Sequence, residues 1–213
     1  EASIVEINSE TDFVAKNKDF ISFCKELSEI CFNEKANIEK INITKMKDGN
    51  TVKDNLIALI SKIGEKISLR RARFFDKSLG KNFPYVHSAV EKNIGKIISV
   101  VKLSEIVDGK NNDLGNKLSM HIAALNPLAI DKDGIKKEVI DKELEIIKAE
   151  LLNSGKKEEM LEKISKGKIN KFIADNTLLN QVWIMDPKKK VSDILKENKI
   201  DKDIKIIDFV RFK

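Results

Sequence analysis

The chain has 213 residues, of which 41% are hydrophobic, enough for one large domain or two small ones with a core. Its 40 lysines and arginines against 34 acids leave a formal charge of +6, a balance that invites nucleic acid. The acids and bases are interspersed, however, only Arg70, Arg71, Arg73 and Arg211 are arginine, and aromatics are 6%, so no surface of guanidinium forks and stacking rings is evident and a solvated face is the simpler reading.

No apolar run approaches the roughly 18 to 20 residues that span a bilayer, and no membrane segment is expected. Residues 3–8 read as a strand and Ser9, Glu10, Thr11 and Asp12 as a turn. Because the first residue is Glu1 rather than Met and a strand is already under way, a fragment of a longer chain is expected. A helix follows over 19–33 with Asp19 as its N-cap, and Phe20, Phe23, Cys24, Leu27, Ile30 and Cys31 recur on one face. Two turns of helix separate the cysteines by about 10.5 Å, beyond the roughly 7 Å a disulfide tolerates. They read as reduced core thiols in a cytoplasmic protein. A polar stretch fills 34–50. A second helix over 52–63 carries Val52, Leu56, Leu59, Ile60 and Ile63 and is closed by Gly64. Residues 66–76 mix Ile67 and Leu69 with Arg71 and Arg73 ahead of Phe74 and Phe75 and read as a strand.

Two more strands, 84–90 and 96–103, flank a turn around Asn93 and Gly95, and a polar loop at 108–112 leads into a helix over 114–125. Its apolar set is Leu114, Leu118, His121, Ile122 and Leu125, and Pro127 stops it. This sheet-plus-helix unit reads as a looser copy of the first. Between 134 and 174 charged residues dominate, and Ile140, Leu144, Ile147 and Leu151 step by four, three and four in a coiled-coil seam. Asn153, Ser154 and Gly155 turn the chain, and Met160, Leu161 and Ile164 line a return helix. A seam this short packs on the body or on a second copy. Strands at 182–186 and 204–212 around a helix at 191–197 bring the chain back to the sheet. The expected fold is α+β: two related antiparallel sheet-plus-helix subdomains, 1–82 and 83–133 with 175–213, and an inserted helical coiled-coil hairpin at 134–174.

Catalytic signals are sparse. There is no phosphate loop, dinucleotide glycine fingerprint, CxxC, HExxH or nucleophile elbow. His87 and His121 have no acid or thiol close in sequence, and the carboxylates lie on charged stretches where solvation is the default. No cofactor, no metal site and no enzymatic activity are expected. One segment stands apart, VEINSETDFVAKN at 5–17, which sets Thr11, Asp12, Phe13 and Val14 at a corner directly after a buried-looking strand. On the residues alone, Asp12 capping a turn and Phe13 anchoring the core remain open readings.

This segment resembles the signature of the bacterial elongation factor Ts family, a strand ending in N-x-x-T-D-F-V-A-[KR]-N. A second block, IGEKISLRRARFF at 63–75, and a third, SMHIAALNP at 119–127, follow in the family's order and spacing. The resemblance runs from residue 1 to the strand ending near Phe212. The family's small helical N-terminal domain, which contacts the partner's GTPase domain, and the C-terminal tail of some members find no counterpart in these residues.

The resemblance implies a nucleotide exchange factor for elongation factor Tu, bound in its GDP or nucleotide-free form, and no direct binding of nucleic acid. The Thr11, Asp12, Phe13 and Val14 corner would enter the partner's GTPase domain, with Phe13 wedged between two helices and Asp12 disturbing the groups that hold the partner's Mg²⁺. His121 would press near the partner's phosphate loop, although its helical phase equally allows a place in the core. Ile94 with Gly95, and Ile184 with Met185 beside Trp183, are further implied contacts for which core packing is an equal reading. The hairpin is similar to a module through which some members self-associate, so a homodimer stays open. A basic RNA-binding or ribosome-associated module is the rival reading.

Overall fold

In the computed structural model, which describes residues 1–104, 110–153, 158–198 and 203–213, the chain divides into two compact units. One comprises 1–123 with 207–213 and the other 124–206. The architecture is α+β, with two small antiparallel sheets.

The first unit begins with β1 (Ala2–Asn8), paired antiparallel with β2 (Ser68–Phe75) from Ala2 opposite Phe75 to Asn8 opposite Ser68, with a register shift between Glu6 and Ile7. Alternation along β1 serves two cores at once, because successive side chains leave opposite faces of a strand. Val5 and Ile7 pack on a cluster built from α1 (Lys18–Asn33), where Phe20, Phe23, Cys24, Leu27, Ile30 and Cys31 are buried together with Ile41, Val52 and Leu59. Ala2 and Ile4 face the other way, into a second cluster with Phe75, Val100, Val210 and Phe212. That cluster draws on the second sheet, whose strand order is β3 (Lys81–Glu91), β4 (Ile94–Leu103) and β5 (Ile206–Phe212). Glu6 is also buried, but the Arg70 and Arg71 side chains each reach its carboxylate at 2.7 Å. Burial alone would raise its pKa; the hydrogen bonds from Arg71 and Arg70 outweigh that and leave it lowered.

Several local expectations are corrected. The N-cap of α1 is Asn17, not Asp19: the Asn17 side chain accepts the amides of Asp19 at 2.8 Å and Phe20 at 3.2 Å, so the helix starts before Asp19. Two Asx residues compete for the cap, and the one followed by free amides in reach wins. The polar stretch at 34–50 contains a short helix, α2 (Ile38–Ile43), capped by Asn37 and held by Ile41, which is fully buried. The expected strand at 182–186 is absent; Val182 makes a single bridge to Lys190, and the chain between them turns, with Trp183 N–H donating to Lys189 O at 2.8 Å. Four apolar residues in a row suggest a strand, but only Trp183 is buried.

The remaining elements are α3 (Val52–Ile63) and α4 (Lys110–Leu125) in the first unit, and α5 (Lys137–Asn153), α6 (Glu158–Asn176) and α7 (Val191–Glu197) in the second. α4 starts at Lys110 and so replaces part of the loop expected at 108–112, the rest of which lies outside the described residues. Leu114, Leu118, His121 and Ile122 are buried on it, whereas Leu125 is exposed where the helix ends. In the second unit, Ile140, Leu144, Ile147 and Leu151 of α5 face Leu161, Ile164, Ile169 and Ile173 of α6 in one apolar cluster. The turn expected at Ser154 and Gly155 and the side chain of Met160 lie outside the described residues. No helix among the described residues is long and apolar enough to cross a membrane.

Candidate partner-docking site

The corner after β1 is a short, tightly specified piece of chain. The Ser9 hydroxyl donates to Thr11 O at 3.2 Å, and from Phe13 the backbone enters one turn of 3₁₀ helix, Val14–Lys16. Lys16 N–H closes on Phe13 O at 3.1 Å and Asn17 N–H on Val14 O at 2.9 Å, after which Asn17 caps α1. In a 3₁₀ turn neighbouring side chains point about 120° apart, three to the turn. Seating Val14 inward, where it is 3% exposed, therefore throws Phe13 outward, where it is 84% exposed.

Polar contacts fasten the outer side of the same corner. The Glu65 carboxylate, just past the end of α3, accepts the Thr11 amide at 3.1 Å and the Thr11 hydroxyl at 2.8 Å. Glu10 accepts the Lys66 amide at 3.0 Å. Lys96 on β4 donates to the Asp12 carboxylate at 2.8 Å. The hydrogen bond from Lys96, with its charge and that of Lys16 adding to it, holds the Asp12 carboxyl below its ordinary value of 3.8. Asp12 is thus a fixed anion at neutral pH, still largely open to solvent.

Of the other expected contacts, Ile94 and Gly95 join the corner. They precede Lys96, and Ile94 is half-buried against the cluster that holds Val14. Gly95 sits within β4 rather than in the turn: a Cβ there would fall 2.5 Å from Val86 Cγ1 and 2.7 Å from His87 O, so only glycine lets the β3 and β4 backbones approach this closely. The turn itself falls at Asn93, whose φ is 63°. His121 is fully enclosed on α4 and presents no surface. Ile184 and Met185 belong to the second unit, where they stand partly exposed on the turn anchored by buried Trp183.

Two residues that grip the corner, Glu65 and Lys96, were not singled out from the sequence. Each lies more than fifty positions from its partner, and the one available signal was that Glu65 follows the helix-stopping Gly64 inside the second family-like block. Chemically the site offers an outstanding apolar ring beside a fixed carboxylate. That arrangement suits protein docking. Among the described residues no group of His, Cys, Asp and Glu could hold a metal ion, and Cys24, buried in the core, has its thiol pushed up to about 12, which keeps it from acting as a nucleophile.

The comparisons with known proteins agree with one another. The family model described as elongation factor TS matches residues 10–213. The chain is 39% identical to a protein named elongation factor Ts from Xanthobacter autotrophicus, over 99% of this chain and 69% of that one. It is 39% identical to its namesake from Erythrobacter litoralis, over 98% of this chain and 69% of the relative. For the namesake from Clostridium kluyveri the identity is 36%, over 99% and 69%.

Proposed function

The chain belongs to the elongation factor Ts family, which makes it a translation elongation factor, and from that premise we propose that it promotes GDP release from elongation factor Tu by inserting the corner at Thr11, Asp12, Phe13 and Val14. The observation that carries the reading is the exposure of Phe13. A phenylalanine that is 84% exposed on a mobile loop would be unremarkable; this one projects from a turn fastened by a buried valine on one side and by Glu65 and Lys96 on the other. Burying such a ring in a partner contributes about 1.5 to 3 kcal/mol, and a rigid aromatic anchor loses little freedom in doing so.

The exchange mechanism follows from charge and reciprocity. Mg²⁺ on the partner bridges the nucleotide phosphates and offsets their charge. A wedge at Phe13 that separates the elements around the metal, with the Asp12 carboxylate competing for the groups that hold it, lowers the partner's affinity for Mg²⁺ and GDP together. Linkage then requires that GDP weaken docking of this chain by the same factor. No chemical group of this chain takes part in bond making or breaking. Ile94 and Gly95, and Ile184 and Met185, are the proposed accessory contacts; His121 would join them only if docking uncovered it.

The rival reading as an RNA-binding module has less support, because Arg70, Arg71 and Arg73 are already engaged with Glu6 and Asp208. The test is release of a fluorescent GDP analogue from elongation factor Tu in excess unlabelled GDP. Addition of this chain is expected to accelerate release, and Phe13→Ala to remove that acceleration by about tenfold or more, as for an aromatic hot spot. Acceleration surviving in Phe13→Ala would overturn the wedge; none from the native chain would overturn the exchange reading.

A further inference from the structure

The second family-like block, 63–75, begins beside the corner and supplies its clasp through Glu65. α3 ends with Gly64 in the left-handed region at φ 80°, its N–H closing on Ile60 O at 2.8 Å. This reversal ends the helix so that the next residue, Glu65, meets a corner fifty-four positions earlier in the chain. Both oxygens of one carboxylate land on one residue: Oε2 accepts the Thr11 amide and Oε1 its hydroxyl. Two bonds to a single residue fix its rotation as well as its position, whereas one would leave a pivot. Glu10 returns the grip on the Lys66 amide, so each segment satisfies a backbone donor of the other. Between Thr11, held by Glu65, and Val14, held by the core, lie only Asp12 and Phe13.

We infer that Glu65 is a positioning residue that presets the corner, so that the exposed Phe13 ring meets a partner in one orientation. This inference rests on the exchange reading above. A segment ordered in advance loses less freedom on docking, so removing the clasp weakens exchange without deleting any atom that enters the partner.

The test compares Glu65→Ala, Glu65→Gln, Thr11→Val and the Glu65→Ala/Thr11→Val double variant, each first confirmed to unfold cooperatively like the native chain. Amide hydrogen exchange of the chain alone needs no partner. There, the Thr11 amide is expected to exchange about tenfold faster in Glu65→Ala, equivalent to ~1.4 kcal/mol of lost protection. Release of fluorescent GDP from elongation factor Tu is expected to slow about three- to tenfold in Glu65→Ala, less in Glu65→Gln, which keeps an acceptor oxygen, and no further in the double variant than in Glu65→Ala. Unchanged Thr11 exchange in Glu65→Ala, or GDP release by Glu65→Ala as fast as by the native chain, would overturn the positioning role. A native chain that fails to accelerate GDP release overturns the exchange reading instead, and amide exchange then still decides whether Glu65 orders the corner.

Discussion

The corner at 9–17 and the inner face of α4 reverse the ordinary relation between polarity and burial in opposite directions. At the corner an apolar ring stands in water while carboxylates and an ammonium do the holding. On α4 the polar groups are inside: Ser119 and His121 are fully buried, and Ser119 is matched to Ser99 of β4 by an Oγ to O bond of 2.6 Å, an Oγ to Oγ contact of 2.9 Å and a return bond of 3.1 Å. Burying polar groups is costly unless they are paired, so such a face is committed to the fold. An exposed ring contributes little to folding, and its stabilisation becomes available when a partner covers it. The difference separates the surface proposed for docking from one committed to the fold, although both carry residues the family resemblance marks as contacts.

The sharpest way to break that comparison is at His121. His121→Ala leaves a cavity in a closed site and is expected to lower unfolding free energy by about 2 to 4 kcal/mol, measured by urea denaturation, with GDP release by the folded protein close to native. Lost release at unchanged stability would mean that the partner reaches His121, and the distinction between the two regions would fall. A smaller effect is expected at the clasp. Gly64→Ala forces a Cβ into left-handed backbone, costing about 1 kcal/mol and lowering Tm by ~2–4 °C in a chain of this size. No steric contact awaits that Cβ, so an unchanged Tm would show that the reversal before Glu65 does not need glycine.

The smallest effect concerns charge. Asp12 titrates below 3.8 in the folded chain because Lys96 is bonded to its carboxylate. A depressed folded pKa means that the pair's contribution is complete above the ordinary value and is lost as pH falls through the lower, folded one. Lys96→Met is expected to move the Asp12 carboxyl titration up toward 3.8, followed by carboxyl-carbon NMR. A titration that stays where it is would remove Lys96 from the corner's support.

Much of this could be read from residue patterns because the relevant forces are local. The helix at 52–63 was legible from its apolar period and its terminal glycine, and a helix also stands at 191–197, where it was expected. The corner was legible because a thirteen-residue block resembles a family signature. α2 was hidden because only Ile41 in that stretch is fully buried, and a single anchor gives no period. The false strand at 182–186 arose because apolar residues in a row look alike whether they enter a sheet or a turn pinned by one tryptophan.

By itself the sequence determined where most helices and strands form, that it carries none of the common catalytic motifs, and which family the corner resembles, since each depends on neighbours within a turn or two or on a contiguous motif. Tertiary structure alone decided that Phe13 points outward and Val14 inward, that His121 is enclosed, and that Glu65 and Lys96 grip the corner from elements far along the chain. Burial and long-range pairing depend on which segments meet, and neither local periodicity nor composition carries that information.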